Sequence, residues 1–102
     1  MELKSHHNYV VIYRDFRVKI GRTCNPQRRL KELRREGLFY GFDIGRPVSA
    51  RVALHTESHI RRALRSQALP GTLEWFSAPP SQAAMVARFT AETQATLEAA
   101  GV

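Results

Sequence analysis

The sequence predicts an α+β fold: a small three-stranded antiparallel sheet flanked by helices, with a further helix at the C-terminus. Three observations carry that expectation. Residues 9–20 hold two short runs rich in Val, Ile and Tyr, as a hairpin does. Two later stretches have helical character, one with apolar residues at helical spacing and one rich in alanine. Gly21, Gly37, Pro47, Pro70-Gly71 and Pro79-Pro80 punctuate these runs. The length suits one domain over residues 1–102, with the main body over 8–77 and the last helix over 80–100.

The elements follow in order. Residues 9–14 read as the first strand, and Val18 and Ile20 resume the pattern after an Asp15-Phe16 turn. By parity Val10, Ile12, Val18 and Ile20 share a face aimed at a core, while Tyr9, Val11, Tyr13, Arg17 and Lys19 share the other. Gly21 closes the hairpin, where missing bulk lets the backbone turn or a group approach. Thr23 or Asn25 caps the next helix and Pro26 suits its first turn. That helix is expected to run to about Glu36, ended by Gly37, with Leu30 and Leu33 inward and arginines outward. Residues 38–44 read as a third strand. Ser49 caps a second helix over roughly 50–67. The segment Leu73-Glu74-Trp75-Phe76 is a short strand or loop whose aromatic pair reads first as core. Pro79-Pro80-Ser81 opens an alanine-rich helix to about residue 99.

The charge is +7, and it is unevenly placed. Only Arg88, of sixteen lysines and arginines, lies beyond Ser77. Arginine outnumbers lysine thirteen to three, and its planar fork suits phosphate. A basic body with a nearly neutral tail points to a polyanion, with nucleic acid ahead of a membrane surface. Lys19, Arg22, Arg28 and Arg29 crowd one end of the strand–turn–helix segment, a layout for holding phosphate. No apolar run reaches the ~20 residues of a membrane helix, so no membrane partner is expected. With Cys24 the lone cysteine, a disulfide framework within the chain is excluded, and a reducing cytoplasm is the simplest setting. Cys24 reads as a small packing residue. His6 and His7 read as a flexible N-terminal pair.

One side chain stands out in the second helix. At 100° per residue, Ala53, Ile60 and Leu64 form an inward stripe, and Glu57 lies within it. A carboxylate there is costly unless it is paired or binds a metal. The two readings are a salt bridge to a nearby arginine and a carboxylate aimed into a cleft to hold Mg²⁺. His55 and His59 fall on the opposite face, and no third ligand is placed with them.

These residues together resemble the GIY-YIG endonuclease superfamily, closest to a short phage and bacterial branch with Lys-Ile-Gly in its second tripeptide. The segments that carry the resemblance are Lys19-Ile20-Gly21, the RTCNPQRR run, the ALHTESHI helix and the EWF segment. Tyr9-Val10-Val11 or Val11-Ile12-Tyr13 stands in for the first tripeptide. The resemblance implies a Mg²⁺- or Mn²⁺-dependent endonuclease that binds one ion and hydrolyses phosphodiester bonds in nucleic acid, DNA before RNA, with low sequence specificity. It implies Glu57 as the metal-binding carboxylate and Arg29 as the arginine at the scissile phosphate. Tyr9 or Tyr13 would orient or deprotonate water, beside Lys19. Arg22, Arg28, Arg34 and Arg35 would hold the nucleic-acid backbone. A catalytically reduced module that binds nucleic acid without cutting it is the first alternative. An interaction protein is the second: its C-terminal helix, with Met85, Val86 and Phe89, would dock a protein partner or a second copy.

Overall fold

The computed structural model describes residues 5–67, 69, 75–77 and 83–101. The elements are β1 (His7–Tyr13), β2 (Arg17–Thr23), α1 (Pro26–Leu33), β3 (Phe39–Ile44), α2 (Ala50–Ala63), a short 3₁₀ turn (Arg65–Gln67), β4 (Trp75–Ser77) and α3 (Ala83–Ala99). The fold is α+β, as expected. The antiparallel sheet has four strands rather than three, in the order β3-β1-β2-β4. The extra strand is the tryptophan segment, which pairs Val18 with Phe76 and Lys19 with Trp75. The expected short strand or loop is a strand over Trp75–Ser77. Pro70-Gly71, Glu74 and the Pro79-Pro80-Ser81 helix start lie outside the described residues, as does the side chain of Trp75.

β1 sits between β2 and β3 and is buried on both faces, where the parity argument gave it a single core face. Val10, Ile12, Val18 and Ile20 pack with Ile60 of α2, Phe76 of β4 and Val86 of α3. On the opposite face Tyr9, Val11 and Tyr13 pack with Leu33 and the half-buried Leu30 of α1. The sheet is thus a middle layer, with α1 on one side and α2 and α3 on the other. That arrangement places β1 and β2 between two helices that can both offer side chains to the end of the sheet.

Local chemistry sets the boundaries. Phe16 takes a left-handed backbone, φ 72°, in the β1–β2 turn, and Asp15 Oδ1 accepts the Arg17 amide across it at 3.3 Å. Asn25 caps α1 by accepting the Arg28 amide at 3.2 Å, with Pro26 in the first turn. α1 ends at Leu33, short of the expected Glu36. The amides of Arg35 and Glu36 reach only three residues back, to Glu32 and Leu33, which tightens the last turn. The Leu33 carbonyl also accepts the Tyr13 hydroxyl at 2.8 Å, so this end is pinned to the sheet. Ser49 caps α2 through the Val52 amide. The expected 50–67 helix divides at Leu64 into α2 and the 3₁₀ turn.

Two N-terminal histidines are ordered rather than flexible. The His6 and Val48 backbones bridge at 2.8 and 3.0 Å, and His7 Nδ1 lies 2.8 Å from the Gly45 carbonyl. Cys24 is exposed, not packed, with its sulfur 3.3 Å from His6 Nδ1.

A buried polar network ties the layers together. Asn8, 1% exposed, donates to the Ala53 carbonyl of α2 at 3.0 Å and accepts from Gln94 of α3 at 2.8 Å. Satisfied buried amides of this kind fix one packing register, because any slip leaves them unpaired. Ala53 is one helical turn before Glu57. The network therefore sets the height of Glu57 against β1.

Candidate functional site

The site grows from the pairing of Tyr9 with Gly21 across β1 and β2. Tyr9 is 3% exposed, and its ring lies across the glycine. A methyl group built on Gly21 would meet the Tyr9 hydroxyl oxygen at 2.4 Å and its ring carbon Cζ at 2.6 Å. Hydrogen is the only substituent that leaves this path open. Gly21→Ala is expected to displace the ring and to cost about 1–3 kcal/mol, the usual cost of overpacking. Denaturant unfolding of the variant checks the cost; unchanged stability would mean that the ring has room to move.

From that seat the Tyr9 hydroxyl accepts a hydrogen bond from Arg29 Nε at 3.2 Å. Arg29 stands in the first turn of α1, its amide bonded to the Asn25 carbonyl. Its Nη1 donates to Glu32 Oε2 at 2.8 Å. Burial works against the Arg29 charge. The hydrogen bonds and charges of Tyr9 and Glu32 outweigh it and hold the guanidinium above its ordinary pKa, so Arg29 remains a cation.

Glu57 approaches from the other side of the sheet on α2 and is 7% exposed. Its Oε2 lies 3.1 Å from Arg22 Nε, and its Oε1 pairs with Arg61 one turn along α2. Arg22 is carried by β2 just past Gly21. Among the described residues β4 pairs with β2 from Arg17 to Lys19, and the stretch of β2 beyond Lys19 ends between α1 and α2. Tyr9, Gly21, Arg22, Arg29, Glu57 and Arg61 line one pocket of about 300 Å³ there. Three guanidiniums face one carboxylate, a ratio suited to an anion. A neighbouring hollow of about 240 Å³, lined by Thr23, Cys24, Asn25, Arg28, Arg29 and Glu32, continues the basic track along α1.

The structure does not bring the other expected residues to this pocket. Tyr13 shares the Tyr9 face but lies four residues along β1, fully buried. Its hydroxyl donates to Leu33, and burial together with the Glu36 charge pushes its pKa to about 12. Lys19 is buried under α1 and pairs with Glu36 at 3.5 Å. Arg34 lies over the rings of Phe39 and Phe42, at 5.2 and 5.9 Å, and Arg35 is exposed past the end of α1. Arg28 borders the second hollow and pairs with Glu32. His55 and His59 are exposed on α2, and among the described residues no three potential metal-binding side chains come together.

Two contributors escaped the sequence reading. Arg61 lines the pocket, and its signal was its i+4 spacing from Glu57 on one helix. Asn8 sets the register, and its signal was an amide beginning an otherwise apolar run.

Comparison with known proteins revises the family. The model that matches is described as the T5orf172 domain, and it covers residues 4–91. The assignment to the GIY-YIG superfamily is thereby corrected. It rested on tripeptides and short segments, whereas the match runs through most of the chain. No curated protein and no solved structure matches significantly. The T5orf172 domain is associated with nuclease-like and DNA-binding modules, an association in keeping with a nucleic-acid-related function. No helix among the described residues is long and apolar enough to cross a membrane. The chain belongs to the T5orf172 domain family.

Proposed function

We propose that the chain hydrolyses phosphodiester bonds in nucleic acid, DNA before RNA, at the pocket between α1 and α2. One observation carries this reading: Tyr9, Arg29 and Glu57 come from three separate elements and line one pocket rimmed by Arg22 and Arg61. In the proposed reaction Arg29 contacts the scissile phosphate and offsets the charge that grows on it. The Tyr9 hydroxyl, oriented by Arg29 Nε, positions the attacking water and takes part in moving its proton. Arg22 and Arg28 hold flanking phosphates without reading bases. Low sequence specificity follows, because these contacts carry no base information.

A magnesium ion fits the donor set in one way only. Glu57 is the carboxylate that lines the pocket among the described residues, and Mg²⁺ commonly keeps several waters and uses one or two carboxylates with substrate phosphates. Arg22 and Arg61 must then turn from the carboxylate toward phosphate. When bound, the ion supplies Lewis-acid stabilisation at the leaving oxygen.

The double pairing of Glu57 with arginines favours a second reading, binding without cleavage. One experiment separates them. Purified chain is incubated with labelled single-stranded, duplex and branched DNA and with RNA, with Mg²⁺ or with chelator. Products that need the metal are expected. Binding with no products under any condition supports the second reading.

A further inference from the structure

We propose that the outer edge of the sheet at β3 is a second nucleic-acid contact, a stacking surface for the bases of a single strand. The inference rests on the reading that the partner is nucleic acid, and adds the strand state it prefers. β3 is the outer strand beside β1. Its pairing slips where Ile12 faces Gly41 and Tyr13 faces Phe39, which leaves Tyr40 as the extra residue of a bulge. Bulges at sheet edges re-aim side chains, and Tyr40 is 60% exposed. Phe42 is 48% exposed and Leu38 74%. Aromatic rings left in water this way mark contact surfaces more often than they serve the core.

The patch is also rigid and cationic. Phe39 packs edge-on against Tyr13 at 5.3 Å, and Tyr13 is held by Leu33. Phe39 in turn meets Phe42 at 6.0 Å. The Arg34 guanidinium lies over both rings, Arg14 reaches the Phe39 carbonyl at 3.3 Å, and Arg35 is exposed beside Arg34. Glu36 pairs with Lys19, while the exposed Asp43 lies two pairs from the bulge, opposite Val10. Exposed rings with arginines beside them suit unpaired bases and their phosphates, since every base has a face to stack. A duplex hides those faces. A second copy of the chain would bring three more arginines against these three, so charge favours a polyanion over self-association.

The test is fluorescence anisotropy with a labelled oligothymidine strand and a duplex of equal length, both with chelator so that no cleavage intrudes. The double variant Tyr40→Ala, Phe42→Ala is expected to bind the single strand at least about tenfold more weakly and the duplex within about twofold. Tyr40→Phe is expected to retain single-strand binding, which separates ring stacking from a folding defect. Equal losses on both ligands, or no loss, overturn the proposal, as does a wild-type dimer in sedimentation that the double variant dissociates. If wild type binds duplex but no single strand, this inference alone falls. If it binds neither, the nucleic-acid reading falls with it.

Discussion

Glu57→Ala is expected to abolish cleavage and at the same time to tighten nucleic-acid binding. The two effects have one cause. Glu57 pairs with Arg22 and Arg61 at the wall of the pocket and offsets their charge. Removing it releases both guanidiniums from that carboxylate and takes away a charge that repels the ligand. A single charge at a partly exposed boundary is worth about 1 kcal/mol, or about fivefold in affinity. The same change deletes the carboxylate that, among the described residues of the pocket, could hold a divalent ion. Glu57→Gln, nearly isosteric, is expected to behave alike and guards against a folding artefact. Cleavage and anisotropy on the same preparations check both halves. A variant that still cuts would remove Glu57 from the chemistry, and one that binds more weakly would make its role structural.

Arg29→Ala is expected to slow cleavage by about 10²–10³-fold, the usual cost of losing one donor to transition-state charge. Binding should fall much less, because Arg22, Arg28 and Arg61 remain. Arg29→Lys is expected to rescue little. The native side chain reaches the Tyr9 hydroxyl with Nε and Glu32 with Nη1 in one plane, and an ammonium cannot divide itself between them. Single-turnover rates beside binding constants separate the two contributions. Equal losses in rate and affinity would assign Arg29 to binding alone.

The parts of the fold legible in the sequence were those with strong local chemistry. Asn25-Pro26 and Ser49 start helices because they satisfy open amides, and that logic needs no tertiary information. Glu57 announced itself because a charge on an apolar stripe demands an answer; the structure gives arginines as that answer. What stayed hidden depended on distance in sequence. Tyr9 and Tyr13 were equivalent by parity, and only the depth of α1 over the sheet separates a pocket-lining hydroxyl from one spent on Leu33. The early end of α1 has the same origin, since a carbonyl already engaged by a tyrosine cannot be seen from helix propensity. The family resemblance rested on a few short motifs, whereas the family that matches does so through residues 4–91.

The crossing of the Tyr9 ring over Gly21 ties those two positions into one heritable unit. A descendant that gains bulk at 21 must displace or surrender the phenol at 9, and with it the acceptor that steadies Arg29. Drift at this glycine is therefore coupled to change at position 9. A relative bearing alanine or serine there should show a trimmed residue in the facing strand and a rebuilt arginine contact.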